Sequence, residues 1–173
     1  MKLKLDAFKN FGLASETLAS QPGINAKMSE FNAAVRLLQL KQIDQLIERR
    51  RHVAGEYLRR LGRIEDLDLT IGSLPQMKKS NYSYFPILIS EKSAISRDQV
   101  IESLKTDGIF ARRYFFPLTH QFEAIASWCK KQYDLPHAKR IAGRILCLPI
   151  YPDLSTSDVE RVVQSLIRAL AKR

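Results

Sequence analysis

The sequence is poor in the residues that many enzyme signatures require. It has only seven glycines, and neither a glycine-rich phosphate loop nor a GxSxG nucleophile motif is present. Cys129 and Cys147 form no CxxC pair, and His52, His120 and His137 have no HxH or HxxxH spacing. The sequence therefore predicts no metal site. A phosphate group would have to be bound by single side chains or by a helix end.

Long hydrophobic runs are also lacking. No apolar run approaches the roughly 18 residues needed to span a bilayer. Asp6 interrupts the N-terminal segment before the apolar core of a signal peptide can form. With 45% hydrophobic and 27% charged residues, the composition is that of an ordinary soluble globular protein. We therefore expect a cytoplasmic protein that does not contact a membrane.

Acidic residues are fewer than basic ones, 18 against 28, which gives a formal net charge of +10. This charge suits nucleic acid, an acidic protein or a phosphorylated small molecule. The densest basic run is ERRRH at 48–52, followed by Arg59 and Arg60. Because consecutive helical residues point about 100° apart, these arginines fan out and do not converge on one face. A solvated face is favoured and nucleic acid is disfavoured as a partner, but a non-enzymatic basic binding or regulatory module is kept as the alternative function.

A helical pattern begins at Ser29, after a weakly patterned segment at 1–22. A second apolar phase runs from about Leu40 to Gly62, and the shift between the phases predicts two successive helices or one bent helix. The first phase has the i, i+3, i+4, i+7 spacing of one helix face and consists of Phe31, Ala34, Val35 and Leu38.

Strand-forming residues concentrate later in the chain. Pro86 favours an edge position or a bulge for its strand. Further helices are predicted at 122–131 and after Pro136. The predicted strands are 67–70, 81–90, 109–115 and 144–150.

Two capping boxes predict helix starts, one formed by Ser96 with Gln99 and one by Ser157 with Glu160. The helix behind the second box has a continuous apolar stripe. Together the elements predict an α+β fold, in which a long helical arm precedes a small sheet of about three strands covered by helices.

Two stretches are candidate binding segments. In GINAKMSEF at 23–31, Asn25 and Lys27 stand before a predicted helix, where they could bind an anion or could simply be solvated. In ARRYFFPLTH at 111–120, arginines and aromatic residues could line a cleft or form core and rim. The strand pleat sends Arg112 and Arg113 to opposite faces, so at most one of them can point into a given pocket.

Several stretches together resemble the C-terminal part of the DegT/DnrJ/StrS family of pyridoxal-phosphate-dependent sugar aminotransferases. The resemblance implies the α/β small domain of a fold-type-I aminotransferase, with a mainly antiparallel sheet. It divides the chain into the end of a large domain at 1–28, a helical arm at 29–62 and the small domain at 63–173. The match is carried by NFG at 10–12, GINAKMSEFNAAVRLLQL at 23–40, IERR at 47–50 with Tyr57, YFPILI at 84–89, DGIFARRYFFPL at 107–118, LPHAKRIAGRILCLPIYPDLS at 135–155 and the last helix.

The resemblance also implies an activity for the complete family enzyme. Such an enzyme uses pyridoxal phosphate to transfer an amino group, from glutamate, to a nucleotide-linked keto-hexose. The family's catalytic lysine lies upstream of the NFG-like segment, and no segment here resembles its surroundings. Lys2 and Lys4 are in the wrong context. We therefore expect a truncated part of an aminotransferase that alone is inactive, contains no catalytic residue and binds no cofactor.

The resemblance assigns roles to single residues. Asn25 is expected to reach across a homodimer to the cofactor phosphate of the other subunit, with Lys27 in support. Arg113, Tyr114 and His120 are expected to lie on the nucleotide-sugar side of the site. At one further position the chain departs from the family, because arginine stands at 36 where the family usually has glycine.

Overall fold

A computed structural model describes residues 1–15, 17–62, 69–71, 80–126 and 134–171. Contacts group the chain into two units, residues 1–44 and 45–173. The helices are α1 (Lys2–Phe8), α2 (Glu30–Leu61), α3 (Arg97–Thr106), α4 (Glu123–Ala126), α5 (Pro136–Ala142) and α6 (Thr156–Leu170), with a 3₁₀ turn at Thr119–Gln121. The strands are β1 (Leu13–Ser15), β2 (Leu18–Ala19), β3 (Leu69–Ile71), β4 (Phe85–Ile89) and β5 (Ile145–Leu148).

The predicted helical arm is one continuous helix, α2, of 32 residues. The amide of Asn32 donates to Ser29 Oγ at 3.3 Å, so the serine caps the first turn as its position suggests. The helix ends at Leu61, immediately before Gly62, as predicted. The change of apolar phase along the arm therefore breaks neither the helix nor its hydrogen bonding.

The first unit begins with the short helix α1, which the weak periodicity of 1–22 does not predict and which buries no residue. A β1–β2 hairpin follows, and Asn10 pairs with Asn25 across an isolated antiparallel bridge. Two glycines allow the chain to cross itself here. A Cβ on Gly12 would lie 1.7 Å from the carbonyl oxygen of Gln21, and one on Gly23 would lie 2.0 Å from the amide nitrogen of Gly12.

The second unit contains an antiparallel sheet with strand order β3-β4-β5. Pro86 therefore lies in the central strand and in a continuous register with β5, so the predicted edge position or bulge is wrong. Cys147, its partner on β5, exchanges both backbone hydrogen bonds with Arg112 on the other side. Pro86 and Cys147 thus form a non-hydrogen-bonded pair, so the missing proline N–H removes no bond from the β4–β5 ladder.

The predicted strand at 109–115 is reduced to a single bridge. Arg112 donates its amide to Cys147 O at 3.1 Å and accepts from the amide of Cys147 at 2.8 Å. The chain then turns, because the amide of Phe116 donates back to Arg113 O at 3.0 Å. This turn prevents the segment from continuing as a fourth strand beside β5.

The first predicted capping box is confirmed, since Ser96 and Gln99 cap α3 reciprocally. The second is wrong by two residues. Helix α6 starts at Thr156, and its N-cap is Ser155, which accepts from the amide of Asp158 at 3.1 Å. Ser155 and Asp158 have the same spacing as the predicted pair, and Glu160 instead contacts Arg60 of α2 at 2.6 Å.

One hydrophobic core joins α2, α3, α6 and the inner face of the sheet. Along β4 the buried residues alternate as Phe85, Ile87 and Ile89, the pattern of a strand with one covered face. Tyr57 of α2 is fully buried against Phe85, with ring centroids 4.7 Å apart, and its hydroxyl donates to Pro149 O at 2.9 Å. The structure thus has the expected α+β character.

Within the described residues, no helix combines the length and apolarity required to cross a membrane. The helix predicted at 122–131 is described only as far as Ala126, and Cys129 lies outside the described residues.

Acid should weaken an ion-pair cluster within α2 through Glu56, which pairs with Arg59 and Arg60. Hydrogen bonds from Arg59 and then Arg60 lower the pKa of this carboxyl from 4.5 to about 2. Because the folded-state pKa lies below the ordinary value, its stabilisation is complete above about pH 4.5 and is lost as the pH falls towards 2. Glu56→Gln should therefore destabilise the protein at pH 7 but progressively less at pH 4 and pH 3.

Urea unfolding at these three pH values measures the effect. The control is Glu102→Gln, which removes an exposed pair with Lys105 at 3.8 Å. A destabilisation by Glu56→Gln that stays constant from pH 7 to pH 3 would contradict the assignment.

Candidate functional site

A cleft of about 330 Å³ lies in the second unit, beside the end of β5. Its floor is formed by 147–151, the segment that leaves the strand. The remaining lining residues are Ser83, Tyr84, Phe110, Arg112 and Tyr114. The cleft therefore combines aromatic walls with one permanently charged guanidinium.

The backbone bridge to Cys147 holds Arg112 at the cleft. Its Nη1 donates to the hydroxyl of Tyr114 at 2.7 Å, and its Cζ lies 5.8 Å from the centre of that ring. Tyr84 meets Tyr114 edge-on at 5.0 Å, and Phe115 stacks on Tyr114 at 5.0 Å. Such an arrangement can hold a ring by packing and an anionic group through the guanidinium.

Arg113, the arginine predicted from the resemblance, lies outside the lining of the cleft. Its Nε donates to Asp98 Oδ1 at 2.6 Å. Burial acts to raise the pKa of Asp98, but hydrogen bonds from Arg113 and Arg97 outweigh it, so the pKa is lowered overall. Arg112 and Arg113 thus point to different surroundings, as the pleat predicts, and Arg112 is the one that lines the cleft.

The structure brings Tyr114 into the cleft but does not place His120 there. His120 is half-buried in the 3₁₀ turn Thr119–Gln121, which follows residues 112–116, the cleft segment. The residues that sequence reasoning missed are Arg112, Tyr84 and Tyr151. Strand alternation could have identified Arg112, because it stands two residues before Tyr114 and therefore shares its side.

Asn25 and Lys27 lie in the first unit and are considered separately. Both are exposed. Lys27 Nζ donates to Asn10 Oδ1 at 3.2 Å and lies 5.1 Å from the centre of the Phe11 ring. The start of α2 already carries a capping serine and Glu30 in its first turn. An anion here would therefore be bound by the two side chains, without the free helix end that the sequence suggested.

Cys147 is buried and lines the cleft. Burial raises the pKa of its thiol to about 11. The thiol is thus protonated at neutral pH, and a protonated thiol is a poor nucleophile. The same cause raises the pKa of the buried Tyr57 hydroxyl, beneath the cleft floor.

No cluster of three or more histidine, cysteine, aspartate or glutamate side chains suited to a metal occurs in the part of the chain that the structure describes. The basic run on α2 is engaged in intramolecular contacts. Arg49 pairs with Asp153 at 2.5 Å, Arg51 pairs with Glu48 at 3.2 Å, and Arg50 donates to the carbonyl of residue 81 at 2.9 Å. Further along, Arg59 and Arg60 pair with Glu56.

Comparison with known proteins gives consistent matches. The model of the DegT/DnrJ/EryC1/StrS aminotransferase family matches residues 1–167. The chain is 41% identical over 167 residues to a dTDP-4-amino-4,6-dideoxy-D-glucose transaminase of Escherichia coli, covering 96% of this chain and 44% of that protein. It thus spans less than half the length of this curated relative.

Solved structures agree with the sequence matches. DesI, solved in the presence of its TDP-sugar product, has a TM-score of 0.85 and 31% identity, covering 98% of this chain and 43% of DesI. Helicobacter pylori PseC, an aminotransferase involved in the biosynthesis of pseudoaminic acid, has a TM-score of 0.86, covering 98% of this chain and 46% of PseC. At 23% identity, PseC supports the fold alone.

Proposed function

Because this chain belongs to the DegT/DnrJ/EryC1/StrS aminotransferase family, we propose that it supplies part of a nucleotide-sugar aminotransferase. The complete enzyme would transfer an amino group, from glutamate, to a keto-hexose linked to a nucleotide. The match over residues 1–167 carries this proposal. We propose in addition that these 173 residues alone do not catalyse the transfer.

Pyridoxal phosphate supplies the electron sink for amino transfer when bound in such enzymes. The residues present fit only its phosphate end. Asn25 and Lys27 stand two residues apart and are both exposed. The Lys27 ammonium donates one N–H to Asn10, which leaves two N–H groups, together with the Asn25 amide, for phosphate oxygens. We propose that Asn25 donates to the phosphate of a partner subunit and that Lys27 adds charge there. No lysine of the chain stands in the sequence context of the family's catalytic lysine.

On the substrate side, we propose that the cleft receives part of the nucleotide sugar. Arg112 would pair with an anionic group, while the Tyr84 and Tyr114 rings pack against a ring of the substrate. Arg113 and His120 remain candidates, but Arg113 would first have to leave Asp98. The charge and aromatic content of the cleft support this proposal.

Titration calorimetry with a dTDP-linked sugar tests the cleft, and we expect binding that Arg112→Gln weakens about tenfold, as for a lost hydrogen bond to a charged group. Arg140→Gln, which removes an exposed arginine that pairs with Glu91, is the matched control. The absence of binding by the unsubstituted chain, or an equal loss in the control, would contradict the substrate role.

Borohydride reduction after incubation with pyridoxal phosphate tests the catalytic part. We expect no lysine of the 173-residue chain to be modified stoichiometrically, because none matches the family's catalytic position. Peptide mass spectrometry is the readout, with a complete family enzyme as the positive control. A stoichiometric adduct on one lysine would overturn this expectation.

We also propose that the chain self-associates through the N-terminal half of α2. Four large apolar side chains there are 61–78% exposed, namely Phe31, Leu37, Leu38 and Leu40. On a helix that packs against another surface, such side chains are largely buried. Sedimentation should reveal species heavier than 19.8 kDa. The variant Leu37→Lys with Leu40→Glu should shift the distribution towards the monomer, whereas Gln39→Lys should not. A monomeric wild-type chain at tens of micromolar would contradict association.

The alternative of a basic regulatory module is not proposed. It rests on the net charge of +10. The densest basic run lies on α2, and its five arginines make ion pairs or hydrogen bonds within the second unit. Phosphates of a nucleic acid would have to compete with these intramolecular contacts.

A further inference from the structure

Arg97, the first residue of α3, is buried although it is charged. Only 3% of the surface of this residue is exposed to solvent. Nη1 donates to Ala142 O at 2.9 Å and to Ile145 O at 3.2 Å, and Nε donates to Asp98 Oδ1 at 2.8 Å. The guanidinium therefore joins the start of α3 to the end of α5 and the start of β5.

The same two residues of α3 also contact the cleft segment. Asp98 Oδ1, which accepts from Arg97, also accepts from Arg113 Nε at 2.6 Å. The Phe116 ring lies 4.8 Å from Arg97 Cζ, in a cation–π contact. Arg97 and Asp98 thus contact 113 and 116, while Arg112 and Tyr114, at alternate positions, line the cleft.

The cleft segment needs such support because it is not a regular strand. Its backbone contacts the sheet through one bridge, at Cys147, where a continuous strand would form a ladder. A single bridge limits the segment's rotation about its own axis less than a ladder does. Anchors on the other side of the segment would keep Arg112 and Tyr114 directed into the cleft.

We propose that Arg97 and Asp98 are positioning residues, which hold the segment 112–116 against β5 so that Arg112 and Tyr114 face the cleft. They would not touch the substrate. The consequence for ligand binding rests on the proposed function, whereas the anchoring itself does not. Burial acts to raise the pKa of Asp98, but hydrogen bonds from Arg113 and Arg97 lower it overall, so the carboxylate keeps its charge to a lower pH than an ordinary aspartate does.

Amide hydrogen exchange tests the anchoring in the full chain. Asp98→Asn keeps the shape of the side chain but removes the charge that Arg97 and Arg113 share. Exchange at the amides of Arg112 and Cys147, which form the bridge, should accelerate about fivefold. This is the size of effect expected for losing a charged pair of intermediate exposure. Exchange at Leu146, which pairs with Ile87 of β4, should stay unchanged.

Glu91→Gln is the matched control, because Glu91 also bridges two arginines, Arg140 and Arg144, at similar exposure. It should leave exchange at Arg112 and Cys147 unchanged. Arg113→Gln, which removes only the Arg113–Asp98 contact, should accelerate exchange in the same direction as Asp98→Asn. The double variant should exceed Asp98→Asn by little, since that contact is already lost in it. The proposal is overturned if Asp98→Asn matches the control, or if Leu146 accelerates equally, which would indicate general destabilisation.

A second experiment measures the affinity of the protein for the dTDP-linked sugar. If the wild type binds it, Asp98→Asn should raise Kd about fivefold with its thermal midpoint within a few degrees of wild type. Unchanged affinity despite faster exchange would overturn the positioning role. If the wild type does not bind, the proposed substrate fails, and the exchange experiment still decides whether Arg97 and Asp98 anchor the segment.

Discussion

Tyr57→Ala is expected to lower the free energy of unfolding by about 3–5 kcal/mol, the range for removing a large buried ring. Tyr57 is fully buried, lies 4.7 Å from the Phe85 ring and donates its hydroxyl to Pro149 O. The substitution would leave a cavity between α2 and β4 and an unpaired carbonyl beneath the cleft floor. Since small proteins are stable by only about 5–15 kcal/mol, much of the fold's stability depends on this one side chain.

Two further substitutions separate the ring from the hydroxyl. Tyr57→Phe keeps the ring and should cost about 1–2 kcal/mol, because Pro149 O loses its donor. Tyr151→Ala removes a tyrosine that is 48% exposed and should change stability much less. Urea unfolding of the three variants measures the differences. A loss below about 1 kcal/mol for Tyr57→Ala would mean that the helix and sheet do not pack as described.

Arg97→Met should produce the second large loss, about 3 kcal/mol. Methionine preserves the apolar stem but removes the donors to Ala142 O and Ile145 O, and each unpaired buried group costs about 1–3 kcal/mol. A buried arginine is often replaceable by an apolar residue, but only when its partners are also replaced. Here the partners are backbone carbonyls, which no side-chain substitution removes.

The comparison for this variant is Arg140→Met, at an exposed arginine 3.5 Å from Glu91. Exposed pairs contribute about 0–1 kcal/mol, so this variant should stay close to wild type in the same unfolding experiment. Equal losses in the two variants would show that Arg97 does not join α3 to α5 and β5.

Local patterns predicted the parts of the fold that depend on neighbouring residues. The end of α2, the cap of α3 and the strands β4 and β5 follow from helix spacing, capping chemistry and residue type. The central position of Pro86 could not be read in this way. It depends on which strands pair with β4 on each side, and β5 is about 60 residues away from β4 in the sequence.

The site was predictable to a similar extent. Residue types identify the segment 111–120 as a candidate, and strand alternation could place Arg112 on the side of Tyr114, but the resemblance directs attention to Arg113. Arg97 could not be found from sequence. A charged residue in the first turn of a short helix normally faces solvent, and only the meeting of α3, α5 and β5 buries it.

The bridge between Arg112 and Cys147 also bears on how the protein avoids aggregation. A strand at the side of a sheet offers unpaired N–H and C=O groups that can recruit another chain. The cleft segment occupies that side of β5 and uses both backbone groups of Cys147. Loosening this segment would therefore do more than disturb a binding cleft: it would uncover a template for intermolecular β-pairing, and solubility would fall with it.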